Sequence, residues 1–180
     1  MKLAATALPD VKLIEPRVFG DERGFFFESW NAREFASAGL TASFVQDNHS
    51  RSRRGVLRGL HYQIEHAQGK LMRVVAGAVF DVVVDLRRSS PAFGRSLGLV
   101  LSAEDRRMLW VPPGFAHGFL AVSEHADFLY KTTDYRYPEH ERTLLWNDPA
   151  LDIAWPHSGA PVMTAKDAAG TPLATADVYP

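Results

Sequence analysis

Phe80-Asp81-Val82-Val83-Val84-Asp85-Leu86 reads as a β-strand and sets the fold class. Phe80, Val82, Val84 and Leu86 recur at period two on one face, and Asp81 and Asp85 share the other. On both sides of this run the segments are short and β-rich, at 11–15, 24–30, 44–48, 56–63, 71–76, 78–86, 96–101, 108–111, 118–122 and 126–132. Turn formers separate them: Gly20-Asp21, Gly69, Gly77, Ser89-Ser90-Pro91 and Pro112-Pro113-Gly114. One helix is expected near the start, with Asn31 as N-cap, Glu34 three residues on and Gly39 at the C-terminal stop. About ten short strands and one early helix predict a mainly all-β chain, a double-sheet sandwich or barrel with the jelly roll first among them. After Pro138 the pattern thins, and 146–156 reads as a packed C-terminal extension.

The chain of 180 residues is long enough for one well-buried core, so a single domain over 1–180 is expected. Its 46% hydrophobic and 11% aromatic content is that of an ordinary globular protein. A formal net charge of -1 argues against a nucleic-acid or membrane partner recruited by bulk charge. The absence of cysteine excludes disulfides, thiolate metal sites and thiol catalysis, and fits a reducing compartment. Residues 1–10 lack a basic stretch followed by an apolar one, and no apolar run approaches the roughly 18 residues of a membrane span. The expected location is the cytoplasm.

Arg58-Gly59-Leu60-His61-Tyr62-Gln63 alternates like a strand, yet sets a cation, an imidazole and an amide among apolar neighbours. Lys70 then opens the apolar run 71–86. Ionisable groups inside a hydrophobic barrel carry a desolvation cost. A lone strand histidine is usually a satisfied core residue, but Arg58, His61 and Lys70 together point to a site.

Other stretches are weaker. Asp21-Glu22-Arg23-Gly24-Phe25-Phe26-Phe27-Glu28 is either a surface turn entering an edge strand or a place where Arg23 and Glu28 face an anionic, hydroxyl-rich ligand. Gln46-Asp47-Asn48-His49 ends an apolar strand in four polar groups, a pattern common in turns. Arg51, Arg53 and Arg54 read as a solvated face, outside any site. In Pro112-Pro113-Gly114-Phe115-Ala116-His117-Gly118-Phe119, His117 leaves a Pro-Gly turn as a metal-ligand histidine does, but a metal needs further ligands. Where a His-x-His pair would help, the chain has His61-Tyr62-Gln63, with only Glu65 near, so no metal is expected. Spacing alone would select neither Tyr130 nor Asp167.

Taken together, the motifs resemble the dTDP-4-dehydrorhamnose 3,5-epimerase family, cupin-type sugar-nucleotide epimerases. The matching stretches are Asp21–Gly24, Gln46–Ser50, Arg58–Gln63, Gly69-Lys70, Pro113–Phe119, Tyr130–Tyr135, His140–Arg142 and Lys166-Asp167. They run in family order over almost the whole chain. The resemblance implies a cupin-like jelly roll and a substrate, dTDP-4-dehydro-6-deoxy-D-glucose, inverted at carbons 3 and 5 for dTDP-rhamnose biosynthesis. Protons beside a ketone are acidic because the carbanion delocalises onto oxygen, so neither a cofactor nor a metal is expected.

By the same resemblance His61 is the base, histidine being the side chain most often used to move protons in catalysis. Asp167 orients it, Lys70 stabilises the enolate oxygen, and Tyr130 is the acid on the opposite face. Arg23, Glu28, Gln46, Asp47, Asn48, Arg58, Lys70, His117, Glu141 and Lys166 would hold the sugar nucleotide. Family members are homodimers, and the partner subunit is implied to supply Arg23 and Glu28. Arg136 stands where the family carries a base-stacking tyrosine; a guanidinium plane also stacks on bases, and base preference turns on it. Alternatives are a mono-epimerase or ketoisomerase on a related 4-keto sugar nucleotide, a metal-dependent cupin enzyme built on His117, and a non-catalytic sugar-nucleotide binding module.

Overall fold

The valine-rich run forms an interior strand of a sheet, buried on both faces. The computed structural model describes residues Met1–Pro180. In chain order the strands are β1 (Lys2–Ala5), β2 (Lys12–Glu15), β3 (Phe19–Asp21), β4 (Gly24–Phe26), β5 (Gln46–Arg53), β6 (Leu57–Gln63), β7 (Lys70–Ala76), β8 (Ala78–Asp85), β9 (Ser96–Ser102), β10 (Met108–Val111), β11 (Phe115–Ala121), β12 (His125–Thr132) and β13 (Glu141–Thr143). Two short helices, α1 (Ala32–Ser37) and α2 (Ala165–Ala168), complete the chain. The strands form an antiparallel six-stranded sheet, β1-β2-β10-β7-β12-β5, a five-stranded sheet, β13-β6-β11-β8-β9, and a β3-β4 hairpin. The mainly-β jelly roll matches the expectation, and no helix is long and apolar enough to cross a membrane.

The main core lies between the two large sheets. Met72, Val74, Leu109 and Phe128 of one sheet meet Val79, Val83, Phe115 and Phe119 of the other. The back of the five-stranded sheet is also covered: Leu60, Tyr62, Val82, Val84 and Leu86 pack under Leu144, Leu151 and Ala176 of the C-terminal extension. Covering both faces accounts for the near-continuous valine run, because each fully buried aliphatic side chain contributes about 1.5–3 kcal/mol. Asp81 and Asp85 therefore do not face water; both are 0% exposed. Asp85 is neutralised by Arg87 (2.7 Å), whose guanidinium lies 4.4 Å above the Phe115 ring.

The early helix forms as expected. The Asn31 side chain accepts hydrogen bonds from the Arg33 and Glu34 amides, and Gly39 follows with φ 88. Phe35 anchors α1 against Ile14, Leu71 and Met108, on the outer face of the six-stranded sheet. Some boundaries differ. β4 stops at Phe26, and β5 continues through Arg53 instead of ending at Asn48. Along β5 the arginines point outward while Ser50 and Ser52 turn inward, which suits a half-solvated edge strand.

Candidate active site

A cavity of about 350 Å³ opens between the two sheets. β6, β11 and β13 supply one wall and β5, β7 and β12 the facing wall. The loop after β12 and the segment leading into α2 close the rim.

A simple strand cannot bring both Arg58 and His61 into this cavity, because residues three apart point to opposite faces. A β-bulge resolves this. His117 of β11 pairs with His61 and Phe119 with Arg58, so one residue of β11 faces two of β6. Leu60 and Tyr62 keep to the buried back of the sheet, while Arg58 and His61 both line the cavity. The two backbones touch at Gly59 and Gly118: a Cβ on Gly59 would stand 2.6 Å from the Gly118 Cα, and one on Gly118 would stand 2.6 Å from the Arg58 carbonyl oxygen. Only glycine fits at either position.

Two imidazole–carboxylate pairs sit side by side on this wall. His61 Nε2 lies 2.7 Å from Asp167 Oδ1, and His117 Nε2 lies 2.9 Å from Asp81 Oδ2. Each carboxylate accepts from Nε2–H, which fixes that tautomer and leaves Nδ1 as the basic nitrogen. Asp167 comes from α2, where the Thr164 hydroxyl caps its amide (3.2 Å) and the Gly59 amide donates to Oδ2 (3.4 Å). Burial opposes its ionisation, but the His61 hydrogen bond and charge, with the Gly59 and Thr164 contacts, hold its carboxyl below the ordinary value.

Lys70 is only 8% exposed, and its Nζ donates to the His61 carbonyl oxygen at 3.4 Å. Burial lowers its ammonium to about 8, against the pull of Glu141 and Asp81. Tyr130 enters from β12 on the facing wall, its ring packed near Phe128. Burial raises its phenol, and Glu141 adds to the effect. At the rim Glu141 accepts from Arg136 (3.0 Å) and Lys166 (2.6 Å). Burial would raise the Glu141 carboxyl, but these two cations lower it to about 2. Arg58, Lys70, Arg136 and Lys166 all line the cavity and give it the charge to receive an anion.

His61, Tyr130, Asp167, Lys70, Gln46, Asn48, Arg58, His117, Arg136, Glu141 and Lys166 thus converge on one cavity. Three expected binding residues do not. Asp47 alternates to the outer face of β5, where Lys131 holds it at 2.9 Å, because neighbours on a strand face opposite ways. Arg23 forks onto Asp21 in the exposed β3-β4 hairpin, and Glu28 accepts from the Asn31 amide group at 2.9 Å. Asp81, Gln63 and Thr164 belong to the site or its supports without having been singled out. Thr164 was readable, since Thr-x-x-Asp is a capping pattern.

A family model described as dTDP-4-dehydrorhamnose 3,5-epimerase matches residues 5–175. The chain is 62% identical over 181 residues to the dTDP-4-dehydrorhamnose 3,5-epimerase of Pseudomonas aeruginosa, covering 100% of both. It is 57% identical to that of Salmonella typhimurium, covering 94% of this chain and 93% of the relative. Among solved structures it superposes with TM-score 0.94 on a dTDP-6-deoxy-D-glucose-3,5-epimerase of Legionella pneumophila in complex with dTDP-4-keto-L-rhamnose, at 50% identity over 97% of this chain and 93% of that one. With a matching profile over nearly its whole length, a matching jelly roll and its polar motifs gathered in one cavity, the chain belongs to the dTDP-4-dehydrorhamnose 3,5-epimerase family, a family of isomerases.

Proposed function

We propose that the protein inverts carbons 3 and 5 of dTDP-4-dehydro-6-deoxy-D-glucose to give dTDP-4-dehydro-L-rhamnose, in dTDP-rhamnose biosynthesis. The observation that carries this reading is the pairing of an oriented imidazole, His61, on one wall with a half-buried phenol, Tyr130, on the facing wall. His61 Nδ1 takes the proton from the carbon beside the ketone, and the C–H electron pair moves onto the ketone oxygen as an enolate. The Asp167 carboxylate stabilises the resulting imidazolium. The Lys70 ammonium offsets the enolate charge in a water-poor site. Tyr130 then donates its proton to the opposite face of the carbon, the carbonyl re-forms, and solvent exchange resets both groups. Arg58, Arg136 and Lys166 face the diphosphate end, with Gln46, Asn48, His117 and Glu141 as hydrogen-bonding partners.

Residues 1–180 act as one domain on this reading, and the working unit is a cytoplasmic homodimer. The hairpin leaves Phe19, Phe25 and Phe26 exposed, a surface suited to cover by a second copy, which would bring Arg23 and Glu28 to its neighbour's site. The metal-dependent alternative rested on His117, whose Nε2 is engaged by Asp81, and no group of three His, Asp or Glu side chains is placed to hold a metal ion.

Incubating the 4-keto sugar nucleotide with the protein in heavy water should introduce deuterium at carbons 3 and 5. Incorporation at one carbon only marks a mono-epimerase; none at either, with ligand bound, leaves a binding module. The Lys70 ammonium makes a second expectation. The charged form is the useful one, so it is present below about pH 8 and lost as pH rises through that value. The kcat/KM profile should therefore fall above about pH 8, and Lys70→Arg should move that limb upward because a guanidinium stays protonated. A profile flat from roughly pH 7 to 10 would remove Lys70 from the mechanism.

A further inference from the structure

We infer that Gln63 is a positioning residue for the nucleotide end of the site, acting through Arg136. This rests on the epimerase reading above. Gln63 ends β6, two residues beyond His61, and is 3% exposed. Its side-chain amide uses both donors and its acceptor on main chain: Nε2 donates to the His66 carbonyl (2.8 Å) and the Tyr135 carbonyl (3.1 Å), and Oε1 accepts from the Tyr137 amide (2.7 Å). Two carbonyls on one side and an N–H on the other fix which end is nitrogen. Tyr135 O and Tyr137 N are the backbone groups on either side of Arg136. The amide therefore grips the chain at the residue whose guanidinium, 59% exposed, reaches Glu141 at the cavity mouth.

The grip is braced from behind. Tyr179, in the C-terminal extension, donates its hydroxyl to the Gln63 carbonyl oxygen. No other side chain bonds both main-chain groups flanking Arg136; the Arg136 amide itself has only a 3.4 Å contact, to Gln46 Oε1. Removing the Gln63 amide would leave two carbonyls and an N–H without the partner that ties them together, and the loop would shift to find others. His61 and Asp167 would keep their contact, because neither touches that amide. The effect falls on binding and not on proton removal.

A double-mutant cycle tests this, with Gln63→Met, Arg136→Ala and the combination. Two quantities are read for each: the dissociation constant of dTDP by calorimetry, and KM and kcat for the 4-keto sugar nucleotide. Gln63→Met should weaken dTDP binding and raise KM about tenfold, with kcat within about threefold of wild type. Adding Arg136→Ala to Gln63→Met should then cost little more, because one effect passes through the other. Independent multiplication of the two effects, or an equal fall in kcat, overturns the inference. Should Gln63→Met not fold, the cycle runs on Gln63→Asn, whose amide is one methylene too short to span both loops. Wild type that binds dTDP without proton exchange defeats the epimerase reading alone, and the binding cycle still decides the role of Gln63. Wild type that does not bind dTDP defeats both.

Discussion

Replacing His61 with alanine is expected to slow deuterium incorporation at both carbons by about 10³-fold or more, within the contribution of a positioned general base. Asp167 orients this imidazole. His117, the adjacent register partner, is held in the same way through Nε2 by Asp81, a carboxylate with no exposed surface, so the exchange left in the variant measures what His117 can do in place of His61. Affinity for the sugar nucleotide should stay within a few-fold, since Arg58, Arg136 and Lys166 are untouched. Nuclear magnetic resonance of the exchanging carbons and calorimetry with dTDP check the two halves of this expectation. Exchange persisting within tenfold of wild type would place the base elsewhere.

Tyr130→Phe should separate the two halves of the reaction. Product formation is expected to fall about 10²-fold, the lower end for a general acid, while proton removal changes far less. The phenylalanine ring keeps the packing beside Phe128, so only the hydroxyl is lost. Burial raises the wild-type phenol, so it stays protonated and ready to donate across the neutral range. In heavy water the variant should return starting sugar that carries deuterium without inversion, as His61 hands back an exchanged proton on the side from which it came. Equal losses of exchange and of product would count against a phenol donor.

Much of the fold is readable in residues 78–86, since Phe80, Val82, Val84 and Leu86 at period two fit a strand, and Asn31 with Glu34 marks the helix. The misreadings have local causes. The sequence alone ends β5 at Asn48 because serines alternating with arginines carry no hydrophobic signal, although Ser50 and Ser52 turn inward. Asp47 lay inside a matching motif but on the wrong parity of its strand. The face of Asp81 was evident, yet its burial depends on His117, 36 residues away, which no local pattern reveals. The convergence of Arg58 and His61 needed a bulge that strict alternation denies. Tyr130 and Asp167 came only through the family resemblance, because a phenol ending a strand and a carboxylate after a lysine are ordinary in sequence. Gln63 stands within the Arg58–Gln63 motif, but its work is on backbone atoms of distant loops.

Asp167 pairs with a histidine 106 residues earlier in the chain, from a segment that lies after every strand. The order of assembly follows. A newly made or refolding chain can complete both sheets while its imidazole still swings without an anchor. Catalytic competence then arrives only when α2 docks, so recovered activity should trail the return of β structure.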